Sequence, residues 1–472
     1  MKYKIMALFT TIFLILLTSF PVSADYMLPE EGMGLNKRIP IPDLYKVAKE
    51  EYVFGEAGAL KKPMDLFVDM NDNIYITDTG KNRIIKLNPD MSLNNIYGDN
   101  LKLGLNKPEG IFVEKDGDIY IADTGNGKVL HITKEGIIVE EFFEPEGEMS
   151  SSEHAEFKPR KLYVSITGYL YLIRQYMLMS IDGNNEFKGF IASSNVRLSI
   201  KDILLRMFYT GEQKAKLTKL VPETFLNFVI ADDGMIYGTT LTNTAQIKKI
   251  NGVGKNIYPE DKTYGEKSID MRGKKSIVRN PEFVDIAVDK ESIVTVIDKN
   301  TNNLYQYDLD GNNIGVFGGP GLNKGQFKLP SALAVDSKGN LLILDYEKES
   351  LQMFKPTEYC MNIHAALSKY HKGMYVEAVE EWVKVQKMHE GNPLVHIGIG
   401  KAFYKQGQYK KAMEHYKIAN DREGYSTAFN EYRQEIIRRY FALIVLAGVT
   451  IIIVITRLKN LIRSFSEREF EV

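Results

Sequence analysis

The chain has 472 residues, 44% of them hydrophobic, and balances 60 Lys and Arg against 61 Asp and Glu. Its length suits a globular protein of more than one domain, and a net charge of −1 supplies no field to draw it to nucleic acid. Cys360 is the only cysteine, which excludes an intramolecular disulfide and a thiolate metal cluster.

The first residues, Met1-Lys2-Tyr3-Lys4, are basic, and Ile5 to Leu17 is uncharged and mostly apolar. Val22-Ser23-Ala24 then offers small residues at a cleavage position. This three-part layout predicts a secretory signal over 1–24, cut after Ala24, which places the following chain outside the cytoplasm. A short lead-in over 25–50 follows.

Residues 62–87, KPMDLFVDMNDNIYITDTGKNRIIKL, match residues 107–132, KPEGIFVEKDGDIYIADTGNGKVLHI, position for position at an offset of 45. The position of Tyr75 recurs at Tyr120, Tyr171, Tyr237, Thr295 and Leu342, with intervals of 45, 51, 66, 58 and 47. Each of these six units has strands enough for a four-stranded sheet. A small sheet with two apolar faces cannot bury them alone, and radial stacking buries both while leaving short edges. The spacing predicts a mainly β fold, a closed six-bladed β-propeller over 51–357. Tyr52-Val53-Phe54-Gly55 is similar to Gly315-Val316-Phe317-Gly318, so Tyr52–Phe54 is expected to supply the outer strand of the sixth blade.

These segments, together with VFGGPGLNKGQFKLPSALAVDSKGNLLILD in the sixth unit, resemble the NHL-repeat family over roughly residues 50–355. The resemblance likewise implies a six-bladed propeller. An Asp closes the second strand in four units, as Asp78, Asp123, Asp298 and Asp345, and is expected to form the turn. Units three and four depart from the pattern, with Arg174 and Thr240 at that position. Between them lies extra sequence in which Leu198 to Phe208 has helical apolar spacing. Arg174, Thr240, Leu204 and Arg206 are therefore the candidate partner surface.

Residues 361–437 change character. Gly373, Tyr375, Ala378 and Trp382 recur 34 residues later as Gly407, Tyr409, Ala412 and Tyr416. This resembles two tetratricopeptide repeats with a capping helix, a C-terminal α-helical segment whose implied role is protein docking. Tyr440 to Thr456 is then uncharged, between Arg438-Arg439 and Arg457. It predicts one transmembrane helix over 438–457 and a cytoplasmic tail over 458–472.

No catalytic Ser, Cys or Lys signature stands out. His131 and His154 are the only histidines in the propeller span, too few for a zinc site. The repeating aspartates could hold calcium, but they recur with the turns, where Asp bonds its own backbone. The expectation is therefore no cofactor, no catalytic residue and no nucleic-acid partner. The predicted role is a cell-membrane protein with its ectodomain outside, whose propeller recognises a protein or a cell-surface glycan and whose helices dock a second protein. The alternative is a lyase- or lactonase-type propeller enzyme acting on an exported sugar or peptide product.

Overall fold

A computed structural model describes residues 41–98, 101–145, 156–191, 193–194, 221–272 and 275–468. The expected signal segment, His154, and the Leu198–Phe208 stretch with Leu204 and Arg206 lie outside the described residues. The chain divides into two compact units, one of Pro42–His364 and the other carrying the helices from Ala365 onward.

The first unit is a six-bladed β-propeller. Blade one is the antiparallel sheet Leu66–Val68, Ile74–Asp78, Arg83–Leu87 and Leu93–Tyr97, and blades two, three and five repeat that order. The second strand is buried along its whole length in blades one, two, five and six, as in Ile74–Asp78 and Ile119–Asp123. A central strand covered on both faces is largely apolar, and the polar residues it carries, such as Thr77 and Asp78, are buried with hydrogen-bond partners. Blade meets blade through apolar clusters. Ile74, Ile76 and Ile85 of blade one pack with Leu342, Leu344 and Leu351 of blade six. Tyr75 and Ile84 on the other face pack with Ile119 and Ile121 of blade two.

The ring closes through Tyr45–Glu51, which lies antiparallel to Ser350–Pro356 in blade six, with Tyr45 facing Pro356 and Glu51 facing Leu351. The expected closing strand, Tyr52–Phe54, sits just beyond it. That segment turns out of the sheet instead: Val53 makes a single bridge to Ala59, and Phe54 is buried in the cluster between blades one and six. Phe54 therefore fills the space between two blades rather than a place in a sheet.

Among the described residues blade four has three strands, Phe225–Ile230, Ile236–Thr240 and Ile247–Ile250, in place of the four expected. Its rim is closed by a loop: Ile250 bridges to Asn256, and Ile257 N–H donates to the Lys249 carbonyl at 2.8 Å. Gly252, Gly254, Pro259 and Gly265 break any regular strand there. A separate two-stranded ribbon, Ser268–Arg272 with Lys275–Arg279, follows before blade five begins at Phe283.

Among the described residues five α-helices follow: α1 (Glu358–His371), α2 (Tyr375–Met388), α3 (Pro393–Lys405), α4 (Tyr409–Ile418) and α5 (Arg422–Arg468). The boundary between the units falls inside α1. Its first turns belong with the propeller, where His364 Nε2 lies 3.3 Å from Gln306 Oε1 and 3.4 Å from Cys360 Sγ. Gln306 Nε2 donates in turn to the Tyr45 hydroxyl of the closing strand at 3.1 Å.

In the helical unit the 34-residue offset has a structural counterpart. Tyr370 meets Tyr375, and Tyr404 meets Tyr409, each pair with ring centres 5.5 Å apart. Ala378, Trp382, Ala412 and Tyr416 are buried. Gly373 and Gly407 occupy the interhelical turns at φ 78° and 72°, a conformation that favours glycine. Among the described residues no single helix is long and apolar enough to cross a membrane. The arms Arg422–Leu443 and Val445–Asn460 meet at 51° and satisfy that requirement only together. The bend divides the uncharged run of the expected 438–457 span.

Candidate functional site

The inner strands converge on the ring axis. Pairing register aligns one position in all six: Asp65, Gly110, Lys161, Asn227, Asp285 and Ala332. Four of the six are polar, at a depth where an apolar residue would cost nothing to bury. Asp65 and Asp285 are satisfied by the neighbouring blade. Asp65 Oδ2 accepts from Ile111 N–H at 3.0 Å, and Asp285 Oδ2 from Leu333 N–H at 2.6 Å. The Lys161 ammonium donates to Asp65 Oδ1 at 2.6 Å. Burial alone would push that ammonium down, but the carboxylates of Asp65 and Asp285 outweigh it and leave it raised. Burial holds the Asp285 carboxyl above its ordinary range, opposed by the Lys161 charge. Gly110 is required where it stands, because a Cβ there would meet the backbone carbonyl oxygen of Arg160 in blade three.

The preceding position on each inner strand is Met64, Glu109, Arg160, Leu226, Val284 and Ser331, and all six line a cavity of about 440 Å³ at the axial mouth. Glu109 and Arg160 pair at 2.8 Å, and Glu282 and Lys299 at 3.1 Å. Tyr176 and Tyr346 also line the mouth, with the Arg160 guanidinium 5.9 Å from the Tyr176 ring centre. The volume lies in the range of small-ligand sites, typically about 300–1,000 Å³. Its lining mixes three acids and three bases with apolar and aromatic surface, so it favours a polar ligand without large net charge.

The residue after each closing Asp explains the asymmetry of the mouth. In blades one and two it is Thr79 and Thr124, whose hydroxyls donate to the carbonyls of Pro108 and Pro159 in the next blade, each at 2.6 Å. In blades five and six the same position is Lys299 and Tyr346, which line the cavity instead. The regular blades therefore use this position to hold neighbours together, and the later ones turn it towards the axis.

The four closing aspartates are fully buried. Asp78, Asp123, Asp298 and Asp345 accept backbone N–H groups of Lys61, Asn106, Glu282 and Lys328 at 2.7, 2.8, 2.9 and 2.6 Å. Burial raises the carboxyls of Asp78, Asp123 and Asp298. Asp69, Asp289 and Asp336 bond the N–H groups of their own turns. Among the described residues no three His, Cys, Asp or Glu side chains gather as cation ligands.

Arg174 and Thr240 correct the expectation of a partner surface. Arg174 is 1% exposed, and its guanidinium pairs with Glu144 at 2.7 Å. Thr240 is fully buried and bonds Thr242 and the Ala245 carbonyl. The loss of Asp at these positions is a local rewiring of the turn inside the blade.

Two histidine relationships were invisible in the sequence. His364 Nδ1 lies 3.9 Å from Asp289 Oδ2, and His396 and His415 face each other with 3.1 Å between Nδ1 atoms. His131 is stacked on Tyr120 and lies 3.3 Å from Asp118. Burial pushes the Cys360 thiol up to about 12, so it is held as an inert thiol.

The chain is similar to several solved structures. A virginiamycin B lyase from Staphylococcus aureus has 16% identity and a TM-score of 0.37, over 66% of this chain and 89% of its own. A structural-genomics protein of unknown function from Bacteroides thetaiotaomicron has 13% identity and a TM-score of 0.42, over 65% and 72%. The WD40 propeller domain of Doa1 has 11% identity and a TM-score of 0.39, over 65% and 81%. No protein-family model matches the chain, and neither does any curated protein.

Proposed function

We propose that this protein is a membrane-anchored, extracytoplasmic binding scaffold. An NHL-type propeller takes a protein or glycan ligand at its axial mouth, and tetratricopeptide-like helices dock a second protein. The observation that carries this reading is the reassignment of one repeat position, from the blade-holding Thr79 and Thr124 to the mouth-lining Lys299 and Tyr346. Tyr346 is thereby turned into the cavity where it can meet a ligand, and Lys299 presents its ammonium there beside Glu282. The axial carboxylates, by contrast, are already committed to neighbouring blades and to Lys161, which favours recognition over catalysis at the axis.

Membrane anchoring is supported by the surface of α5, where Phe441, Leu446 and Ile452 are each 60% exposed or more. Such a surface needs a non-aqueous cover. Orientation rests on the predicted signal over 1–24, with the tail from 458 inside.

Crosslinking of the full-length protein in intact cells tests the reading. Lys299→Ala combined with Tyr346→Ala should abolish a defined crosslinked adduct without changing membrane content or the melting temperature. Adduct formation indifferent to both substitutions would remove the mouth as the recognition site. Turnover of an exported sugar or peptide by the purified protein would favour an enzyme instead.

A further inference from the structure

Among the sheet edges of the propeller unit that have no pairing strand among the described residues, two differ sharply in charge. The first is the rim strand of blade two, Ile138–Phe142, which ends its sheet. Ile137, Ile138, Val139 and Phe143 are 65, 44, 54 and 52% exposed. Rim edges are ordinarily blunted by charge, lysine above all, or by polar residues. The closing strand of blade six carries Lys46 and Lys49, and the rim strand of blade one carries Asn94 and Asn95. The strand itself has no lysine, and its charged residues are Glu140 and Glu141, the latter paired with Lys128 of the neighbouring strand at 2.6 Å.

The second is the ribbon Ser268–Arg272 with Lys275–Arg279, a sheet of two strands only. Such a ribbon is marginal alone in water. Ile269, Ile277 and Val278 are exposed. Its sequence from 268 to 279 is basic, with Arg272, Lys274, Lys275 and Arg279 against Asp270.

We propose that the ribbon of one copy adds, as a further strand, to the blade-two edge of a second copy. Each partner supplies what the other lacks. The ribbon brings unpaired backbone groups, β-branched residues and positive charge, and the edge offers unpaired backbone groups, Ile137–Val139 and glutamates. Within one copy the ribbon is not paired with that edge, and blade three stands between blades two and four in the ring. A second copy of the blade-two edge is the poorer occupant, because antiparallel self-pairing would bring Glu140 and Glu141 of both strands together. The contact is head-to-tail, so a pair leaves one edge and one ribbon free, and association continues into rows or rings.

Sedimentation of the full-length protein in detergent micelles tests this. At about 50 mM salt the average mass should rise with concentration beyond a dimer, and at about 500 mM it should fall. Glu140→Lys should weaken association at least tenfold, as should Arg272→Glu with Lys275→Glu. Mixing the two variants should restore it, since each again meets an opposite charge. Ile138→Lys, at an exposed position, should act like Glu140→Lys, and unchanged melting temperatures exclude misfolding as the cause. A protein that stays monomeric at low salt would overturn the proposal. So would association indifferent to salt and to both reversals, or a mixture that fails to re-associate.

Discussion

Asp285 reaches out of its own blade, its Oδ2 accepting a 2.6 Å hydrogen bond from the backbone N–H of Leu333 in the next. Asp65 does the same to Ile111. These two carboxylates tie inner strands across blade boundaries, and Lys161 supplies the positive charge they share. Removing that charge leaves two buried acids uncompensated. Lys161→Met should therefore destabilise the propeller by about 3–5 kcal/mol in denaturant unfolding. Lys161→Met with Asp65→Asn should recover part of the loss. A double variant as unstable as the sum of its single changes would show that the two groups do not act as a pair.

Gly110 stands where a side chain would strike the Arg160 backbone. Gly110→Ala should cost about 1–3 kcal/mol by forcing blades two and three apart. The neighbouring Glu109–Arg160 pair should loosen with it, detectable as faster amide exchange at Arg160 and Lys161. Wild-type stability in this variant would mean that the blades separate freely at this point.

His364 and Asp289 have opposite responses to burial. Burial pushes the imidazole down to about 4 and the carboxyl up to about 7. His364 contributes stability above its unfolded value, about 6.5, that is lost as pH falls towards 4. Asp289 contributes stability below its unfolded value, about 3.9, that is lost as pH rises through 7. In the wild type the two slopes oppose one another. Asp289→Asn should leave the His364 slope alone, with melting temperature falling from pH 6.5 to 4. His364→Gln should leave the opposite slope, with stability falling from pH 4 to 7. Identical profiles for all three proteins would refute the assignment.

Trp382 packs against Gly398, where a Cβ would collide with its indole. Trp382→Ala should cost the helical unit about 3–5 kcal/mol. Gly398→Ala should also destabilise it by overpacking. Calorimetry should show the helical transition shifted down. An unshifted helical transition in Trp382→Ala would contradict its place in the core.

The propeller was legible because Tyr75 and Asp78 have counterparts at one structural position, Tyr at Tyr120, Tyr171 and Tyr237 and Asp at Asp123, Asp298 and Asp345, on strands buried on both faces. The helical repeat was legible for the same reason, through Gly373 and Gly407 or Trp382 and Tyr416. The axial site was not, since its residues share a position but not a chemistry: Asp65, Gly110, Lys161, Asn227, Asp285 and Ala332 look unrelated until register aligns them. A comparison of the six units at the position 10 residues before that of Tyr75 would have exposed the polar excess. Arg174 and Thr240 misled because a departure from pattern was equated with exposure, whereas Arg174 had gained Glu144. The closing strand was misplaced by a short similarity, since Phe54 resembles a strand residue but fills a gap between blades.

The pairing of Tyr45–Glu51 with Ser350–Pro356 also sets a clock on biosynthesis. The first strand to emerge from the ribosome has no partner until about 300 further residues have been made. At about 5–20 residues per second, that wait is roughly 15–60 s. Through this interval blade six lacks its last strands and the cluster around Phe54 is half-built, with apolar surface open to wrong neighbours. The chain thus depends on protection early in its life, at a stage when none of its finished contacts can yet supply it.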